Sequence, residues 1–169
     1  MNLFDLVARI RRNHGLEHAT VHILSRQQPR LSVVGRSDWD GFTLYGPLDT
    51  TAVNEAAHEA LRRLQQGEAG LAVHPRCGTV LATTGLLTGL AAFMALSLDS
   101  SGSKARFRWP AVPTAVLAAT IAAMFAQPLG LLLQERFTVS GQPGSLQIKT
   151  VTARQTGNLT VHRIETSEQ

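Results

Sequence analysis

Three histidines recur every four residues near the start of the chain. They are His14, His18 and His22, and Glu17 lies beside them in the segment HGLEHATVH. Positions i and i+4 of a helix share one face, so two of these imidazoles could bind the same ion. The spacing therefore predicts a transition-metal site, and zinc is the expected ion because imidazole is one of its usual ligands.

The order of His14, Glu17 and His18 is also that of the inverzincin motif. In that motif two histidines bind zinc and the glutamate acts as general base on the bound water. Glu17 is accordingly the candidate catalytic residue. Inverzincins take a further ligand from a distant glutamate, and no matching acidic segment follows here. Assignment as a peptidase of that class is therefore unsupported.

A second candidate ligand pair is His74 and Cys77, three residues apart in HPRCGT. Neutral imidazole and thiolate are both common zinc ligands. His14 and His18 together with His74 and Cys77 would give a closed tetrahedral site, which is typical of a structural metal. A site of three histidines would leave one position open for water, as in a catalytic metal. The residues leave open whether the protein is an enzyme.

Each of these residues also has a purely structural interpretation. The histidine stripe could be a polar helix face, and Cys77 could be a small buried side chain. His58 and His162 are expected at the surface or in packing, and Arg76 is expected to reach lipid headgroups. Residues 37–41 are expected to form a hairpin turn, although Asp38 or Asp40 could orient a ligating histidine from outside the metal site.

Two long segments carry no charged residue, residues 78–98 and 110–133. A 21-residue helix is about 31 Å long, close to the roughly 30 Å hydrocarbon thickness of a bilayer. The segments predict a transmembrane helical hairpin, and the alternative is a helical hairpin buried in a soluble protein. Gly85 and Gly89 form a small-xxx-small pair that would let the second helix approach closely.

The flanking sequence predicts an α+β membrane protein with three parts. Residues 1–77 form a helix-hairpin-helix domain, residues 78–133 form the transmembrane hairpin, and residues 134–169 form a short β-rich tail that packs on the first domain. The periodicity predicts helices over residues 2–26 and 49–66, and strands over residues 31–36, 41–46, 137–140, 146–151 and 159–164.

The composition and the charge pattern indicate the expected cellular location of the protein and its expected partners. No signal-peptide pattern precedes the hairpin, so both termini are expected in the cytoplasm of a multi-pass protein of the inner (plasma) membrane. Three basic residues of the connecting loop, Lys104, Arg106 and Arg108, argue for the opposite orientation. Net charge is +4 without a basic-aromatic cluster, which excludes a nucleic-acid-binding surface. The lipid bilayer is the expected partner, with a homo-oligomer or another membrane protein as further candidates.

Together, the HGxEH and HPRCGT segments, over residues 14–18 and 74–79, resemble uncharacterised bacterial membrane proteins of the YqhQ type. That family has a domain of unknown function, so the resemblance implies a membrane protein with a shared polar site and no particular reaction. The expected function is a two-span membrane protein with a zinc site at the membrane surface that could serve metal-assisted hydrolysis. The alternative is a non-enzymatic assembly or sensor module in which a His/Cys/Glu site is structural.

Overall fold

The computed structural model describes residues 2–28, 30–98, 109–157 and 159–168, and in these ranges it contains four α-helices and one four-stranded sheet. The expected combination of helices and sheet is confirmed. The chain divides into two compact units. The first unit comprises Met1–His74 and Glu135–Gln169, and the second comprises Pro75–Gln134.

Two helices of the first unit begin at side-chain caps. Helix α1 spans Leu3–Gln27, and the Asn2 side chain accepts a hydrogen bond from the Asp5 backbone N–H at 2.8 Å while the Asp5 carboxylate accepts one from the Asn2 N–H. Helix α2 spans Thr50–Gln65, with Asp49 accepting from the Ala52 N–H. Such caps satisfy backbone donors that lack a partner in the first helical turn.

The sheet of the first unit joins segments from both ends of the chain. Strands β1 (Val34–Asp38) and β2 (Gly41–Gly46) form a hairpin, and β3 (Leu146–Thr156) and β4 (Leu159–Glu168) form another. All neighbours are antiparallel in the order β1-β2-β4-β3. Because β2 pairs with β4, the amino-terminal and carboxyl-terminal segments share one sheet.

The core of the first unit lies among α1, α2 and the inner face of the sheet. Fully buried apolar side chains come from both helices and from strands β2, β3 and β4. A short 3₁₀ turn, Ala69–Ala72, follows α2 and runs beside α1. The apolar members include Leu16, Leu24, Phe42, Leu44, Leu146 and Ile164.

The second unit contains two apolar helices, α3 (Gly78–Leu98) and α4 (Val112–Leu133). Both are long and apolar enough to cross a membrane, over Gly78–Ser97 and Trp109–Thr138. Within this unit the helices approach closely where Gly130 of α4 faces Val80 of α3, since a Cβ on Gly130 would lie 2.9 Å from the Val80 Cα. The loop residues Lys104, Arg106 and Arg108, used above to argue orientation, lie outside the described residues.

Two sequence-based expectations are wrong. Residues 137–140 form no strand, because Gln134–Thr138 continues from α4 as a π-helical turn; an alternation of four residues is too short to separate a strand from a helical turn. Gly85 and Gly89 do not mark the close helix approach, since a Cβ on either would meet no atom within 4 Å. Gly130 has that role instead.

Candidate metal-binding site

The histidine stripe of α1 lies against the segment that follows the 3₁₀ turn. The ring centroids of His14 and His18 are 4.4 Å apart. The ring of His74 lies 5.9 Å from that of His18 and 5.2 Å from that of His22. The first unit therefore gathers the four histidines that the sequence nominated as metal ligands.

Three of these rings are held by backbone carbonyl groups. His14 Nδ1 donates to the Thr138 carbonyl at 2.9 Å, His18 Nδ1 to the Ala72 carbonyl at 2.7 Å, and His22 Nδ1 to the Leu71 carbonyl at 3.1 Å. A carbonyl oxygen can only accept, so each Nδ1 must carry the hydrogen. The neutral ring then has its lone pair on Nε2, the nitrogen that would bind a metal.

This arrangement is typical of metal-ligating histidines, which usually donate the second ring N–H to a carbonyl or carboxylate. The partner fixes both the tautomer and the ring direction. These carbonyl partners could not be predicted from the sequence, because every residue has a backbone carbonyl. Which carbonyls lie beside the histidines depends on how the 3₁₀ turn and residue 138 pack against α1.

Gly15 allows residue 140 to lie directly on α1. A Cβ at Gly15 would collide with the Ser140 carbonyl oxygen and would lie 3.3 Å from the Ala72 Cβ. The Ser140 N–H donates to the Arg11 carbonyl at 2.8 Å in the same region. The glycine of HGxEH is therefore explained by close backbone approach, and it keeps Thr138 where its carbonyl can accept from His14.

Glu17 points toward strand β1. Its side chain is only 5% exposed and accepts a hydrogen bond from the Ser37 hydroxyl. A Cβ on Gly35 would collide with the same carboxylate, so a glycine at this position of β1 makes room for it. The structure thus gives Glu17 a contact that links α1 to the sheet, and its role as a catalytic base stays a prediction.

Cys77 is buried, at 7% exposure, and follows His74 by three residues. Chain connectivity alone keeps its Cα within about 11 Å of the His74 Cα. The donors of His14, His18 and Cys77, two imidazoles and a thiol, are those that zinc prefers, so this His/His/Cys set could hold a metal ion.

Residues 37–41 contain the turn of the β1–β2 hairpin, as expected from the sequence, and the alternative that Asp38 or Asp40 orients a ligating histidine is wrong. The Asp38 carboxylate forms two hydrogen bonds with the Arg163 guanidinium, at 2.8 and 2.9 Å, and Asp40 lies 3.9 Å from Arg9 and from Arg163. The hydrogen bond from Arg163 is the main reason that the pKa of Asp38 is lowered. These aspartates stabilise the turn between β1 and β2, and carbonyl groups orient the histidines instead.

The two remaining histidines lie away from the stripe. His58 is exposed on α2, where its Nδ1 donates to the Asn54 carbonyl of the preceding turn. His162 is fully buried on β4, with its Nε2 3.1 Å from the Thr50 hydroxyl. Burial lowers the pKa of His162, and the nearby negative charge of Asp49 opposes this effect. Both positions agree with the surface and packing roles expected from the sequence.

The fold and the site define an α+β protein with two apolar helices and a candidate His/Cys metal site. The chain belongs to the family described as Domain of unknown function (DUF6391), which matches residues 9–151. This range includes every nominated ligand and both apolar helices. The chain is also 36% identical over 155 residues to an uncharacterised protein of Picosynechococcus sp., covering 79% of this chain and 76% of that protein.

No solved structure matches the chain. The expectation of an uncharacterised family is confirmed, whereas the narrower resemblance to the YqhQ type stays a prediction.

Proposed function

We propose that this chain is a two-span membrane protein that binds a transition metal, most favourably zinc, through the histidines of its first unit. The proposed ligands are His14 and His18 with His74, completed by His22 or Cys77. The single observation that carries the proposal is the set of three Nδ1–carbonyl hydrogen bonds, which fix the tautomer and so assign Nε2 as the ligand nitrogen of each of these rings.

Membrane insertion is supported by the surface of the second unit. Large apolar side chains on both helices are exposed, such as Leu86, Phe93, Met124 and Phe125. A soluble protein rarely exposes a continuous apolar surface of this kind. Thr83, Thr84, Thr88 and Thr120 donate their hydroxyls to carbonyls one turn earlier, at 2.7 to 2.8 Å, which satisfies these groups without water.

The first unit then lies on a single side of the bilayer. Strand β2 precedes both spans and β4 follows them, yet the two strands pair in one sheet. An even number of spans is the arrangement that permits this. We place that side in the cytoplasm of a plasma-membrane protein, where a reducing environment would keep the thiol of Cys77 available as a ligand.

The metal would either stabilise the fold or support hydrolysis. The contact of Glu17 with Ser37 and its close packing on Gly35 favour the structural alternative, because a general base must reach the metal-bound water. The leading proposal is therefore a membrane-anchored metal-binding module with an assembly or sensor role. Metal-assisted hydrolysis with Glu17 as base is the second candidate, supported by the HxxEH order.

The first experiment measures metal bound to the full chain purified in detergent. We expect about one zinc ion per chain. The affinity for zinc should fall tenfold or more in His18→Ala. His58→Ala is the matched control, since it removes an exposed histidine from α2. A metal-free protein in which His18→Ala and His58→Ala are equally stable would refute the metal site.

A second experiment separates the two candidate roles. Glu17→Gln keeps an oxygen that can accept from Ser37 but removes the basic carboxylate. Retained metal with lost hydrolytic turnover would assign Glu17 as the base, whereas unchanged metal binding and unchanged physiological function would assign a structural site. Glu55→Gln, on the exposed face of α2, is the matched control.

A further inference from the structure

The first two turns of α1 expose an apolar patch. Its members are Leu3, Phe4 and Val7, all of them exposed, and the Phe4 side chain is 85% exposed. Residues three and four apart on a helix are neighbours on one face, so these three side chains form a continuous surface. Neighbouring large apolar side chains that solvent reaches are typical of an interaction surface.

Contacts with β4 hold this patch away from the sheet. On the other side of the same part of α1, Arg9 donates to the Thr166 carbonyl at 3.2 Å. One turn further on, the Arg12 guanidinium forms an ion pair with Glu168 at 2.7 Å. Because these contacts fix the rotation of α1 about its axis, the polar side of the segment faces the sheet and the patch faces outward.

The patch continues the face of α1 that contacts both connections to the apolar helices. Farther along this face, Arg11 donates to the Arg136 carbonyl at 2.8 Å, and His18 donates to the Ala72 carbonyl at 2.7 Å. Ala72 lies shortly before α3 in the chain, and Arg136 lies shortly after α4. Chain connectivity therefore keeps this face of α1 close to the membrane boundary that the two spans would define.

Positive charge borders the patch. Arg11 lies one turn after Val7 on the same face, and its guanidinium donates to neutral carbonyl groups, so these contacts do not neutralise its charge. Arg136 and Phe137, on the segment that Arg11 contacts, are both exposed. A helical segment with an apolar face and arginines at its border is typical of one that lies in the interface of a membrane with anionic lipids.

We propose that the first two turns of α1 form an interfacial anchor, in which Leu3, Phe4 and Val7 insert among the headgroups of an anionic lipid surface. The anchor holds the first unit, and with it the histidine face of α1, against the bilayer. The inference rests on the proposed two-span membrane protein and adds a further membrane contact that does not cross the bilayer.

Single-tryptophan variants of the full chain in vesicles test the anchor. The chain has two tryptophans, so Trp39→Phe with Trp109→Phe gives a background into which Phe4→Trp is introduced. The vesicles contain phosphatidylcholine and phosphatidylglycerol with bromine, which quenches tryptophan on contact, either near the headgroups or near the bilayer centre. We expect Phe4→Trp to lose about half of its fluorescence to the shallow bromine and less to the deep bromine, because an interfacial helix enters only about 5–10 Å.

Two further positions in the same background serve as controls. A Cβ on Gly35 would meet Glu17 of α1, so the neighbouring Val34 points to the opposite face of the sheet, where it is exposed. Val34→Trp should therefore not be quenched. Leu86→Trp, in α3, reports insertion of the spans and should be quenched most by the deep bromine.

The outcomes separate the anchor from the spans. Equally weak quenching of Phe4→Trp and Val34→Trp, with strong quenching of Leu86→Trp, would overturn the anchor and leave the spans intact. Blue-shifted emission of Phe4→Trp without quenching would also overturn it, since another protein surface, such as a second copy of the chain, would then cover the patch. Absence of quenching in Leu86→Trp would instead refute the membrane insertion on which the anchor rests. Leu3→Trp provides a second variant in the patch, and far-UV circular dichroism checks that each variant keeps its fold.

Discussion

The two units of this chain treat polar and apolar side chains in opposite ways. The first unit buries polar groups, including Asn13, Glu17 and His18, and gives them hydrogen-bond partners. The second unit exposes large apolar side chains along both helices, such as Leu86 and Phe93. Buried polar groups cost little when they are paired, and exposed apolar groups cost little in lipid. The contrast supports the proposal that the second unit lies in lipid.

The two units also differ in how closely other atoms pack against their glycines. Gly15 and Gly35 of the first unit lie where any Cβ would collide, with the Ser140 carbonyl in one case and with the Glu17 carboxylate in the other. Gly85 and Gly89 of the second unit face open space. Glycines in the first unit therefore position the candidate site, whereas this helical pair in the second unit carries no comparable constraint within the described residues.

The largest expected effect is on the membrane insertion of α3. Leu86 is 71% exposed near the middle of α3, and Val34 is 66% exposed on β1. An arginine in the centre of a spanning helix costs about 3 kcal/mol of insertion free energy. Leu86→Arg should therefore reduce the fraction of molecules that resist alkaline extraction from membranes. Val34→Arg should leave that fraction unchanged, and equal behaviour of both variants would contradict the lipid environment of α3.

Metal removal should affect the first unit and spare the second. A ligand at 100 times its dissociation constant stabilises the folded state by about 2.7 kcal/mol. Chelation should accordingly accelerate amide hydrogen exchange in α1 and β2, with little change in α3. The matched control is His18→Ala, which should respond weakly to the chelator. Equal acceleration of amide hydrogen exchange in both units would contradict a stabilising effect of the metal on the first unit alone.

The next largest effect is expected from substituting glycine by alanine, which should lower the stability of the first unit but not that of the second. Gly15→Ala should lower the free energy of unfolding by about 2 kcal/mol, because the added Cβ collides with the Ser140 carbonyl. It should also weaken metal binding, since residue 138 must shift away from His14. Gly85→Ala meets no atom within 4 Å and should change stability by less than about 0.5 kcal/mol. Denaturant unfolding of detergent-solubilised protein measures both values.

The smallest expected effect is the pH dependence of the buried His162. Its pKa is lowered from the ordinary value of 6.5, so the unfolded chain binds a proton in a range where the folded protein does not. Stability should therefore fall as the pH decreases from about 6.5 toward the folded pKa. His162→Gln should flatten this part of the curve, whereas His58→Gln should not. An unchanged slope in His162→Gln would contradict the lowered pKa.

Much of the secondary structure could be predicted from the sequence. Periodicity predicted α1 and α2, and the absence of charge predicted α3 and α4 within a few residues. The strand predicted at residues 137–140 is wrong, since a short alternation also fits a helical turn. Strands β3 and β4 are longer than predicted because pairing extends them beyond their apolar alternation.

The candidate site, too, could be predicted only in part from the sequence. Spacing alone identified His14, His18 and His22, because a helix fixes the relative positions of residues four apart. The approach of His74 and of the accepting carbonyl groups depends on contacts between distant segments, which no local pattern encodes. The sequence by itself thus determined which residues could bind a metal and which helices suit lipid. Only the tertiary structure decided that Nδ1 of His14, His18 and His22 carries the hydrogen, because that choice depends on long-range hydrogen bonds.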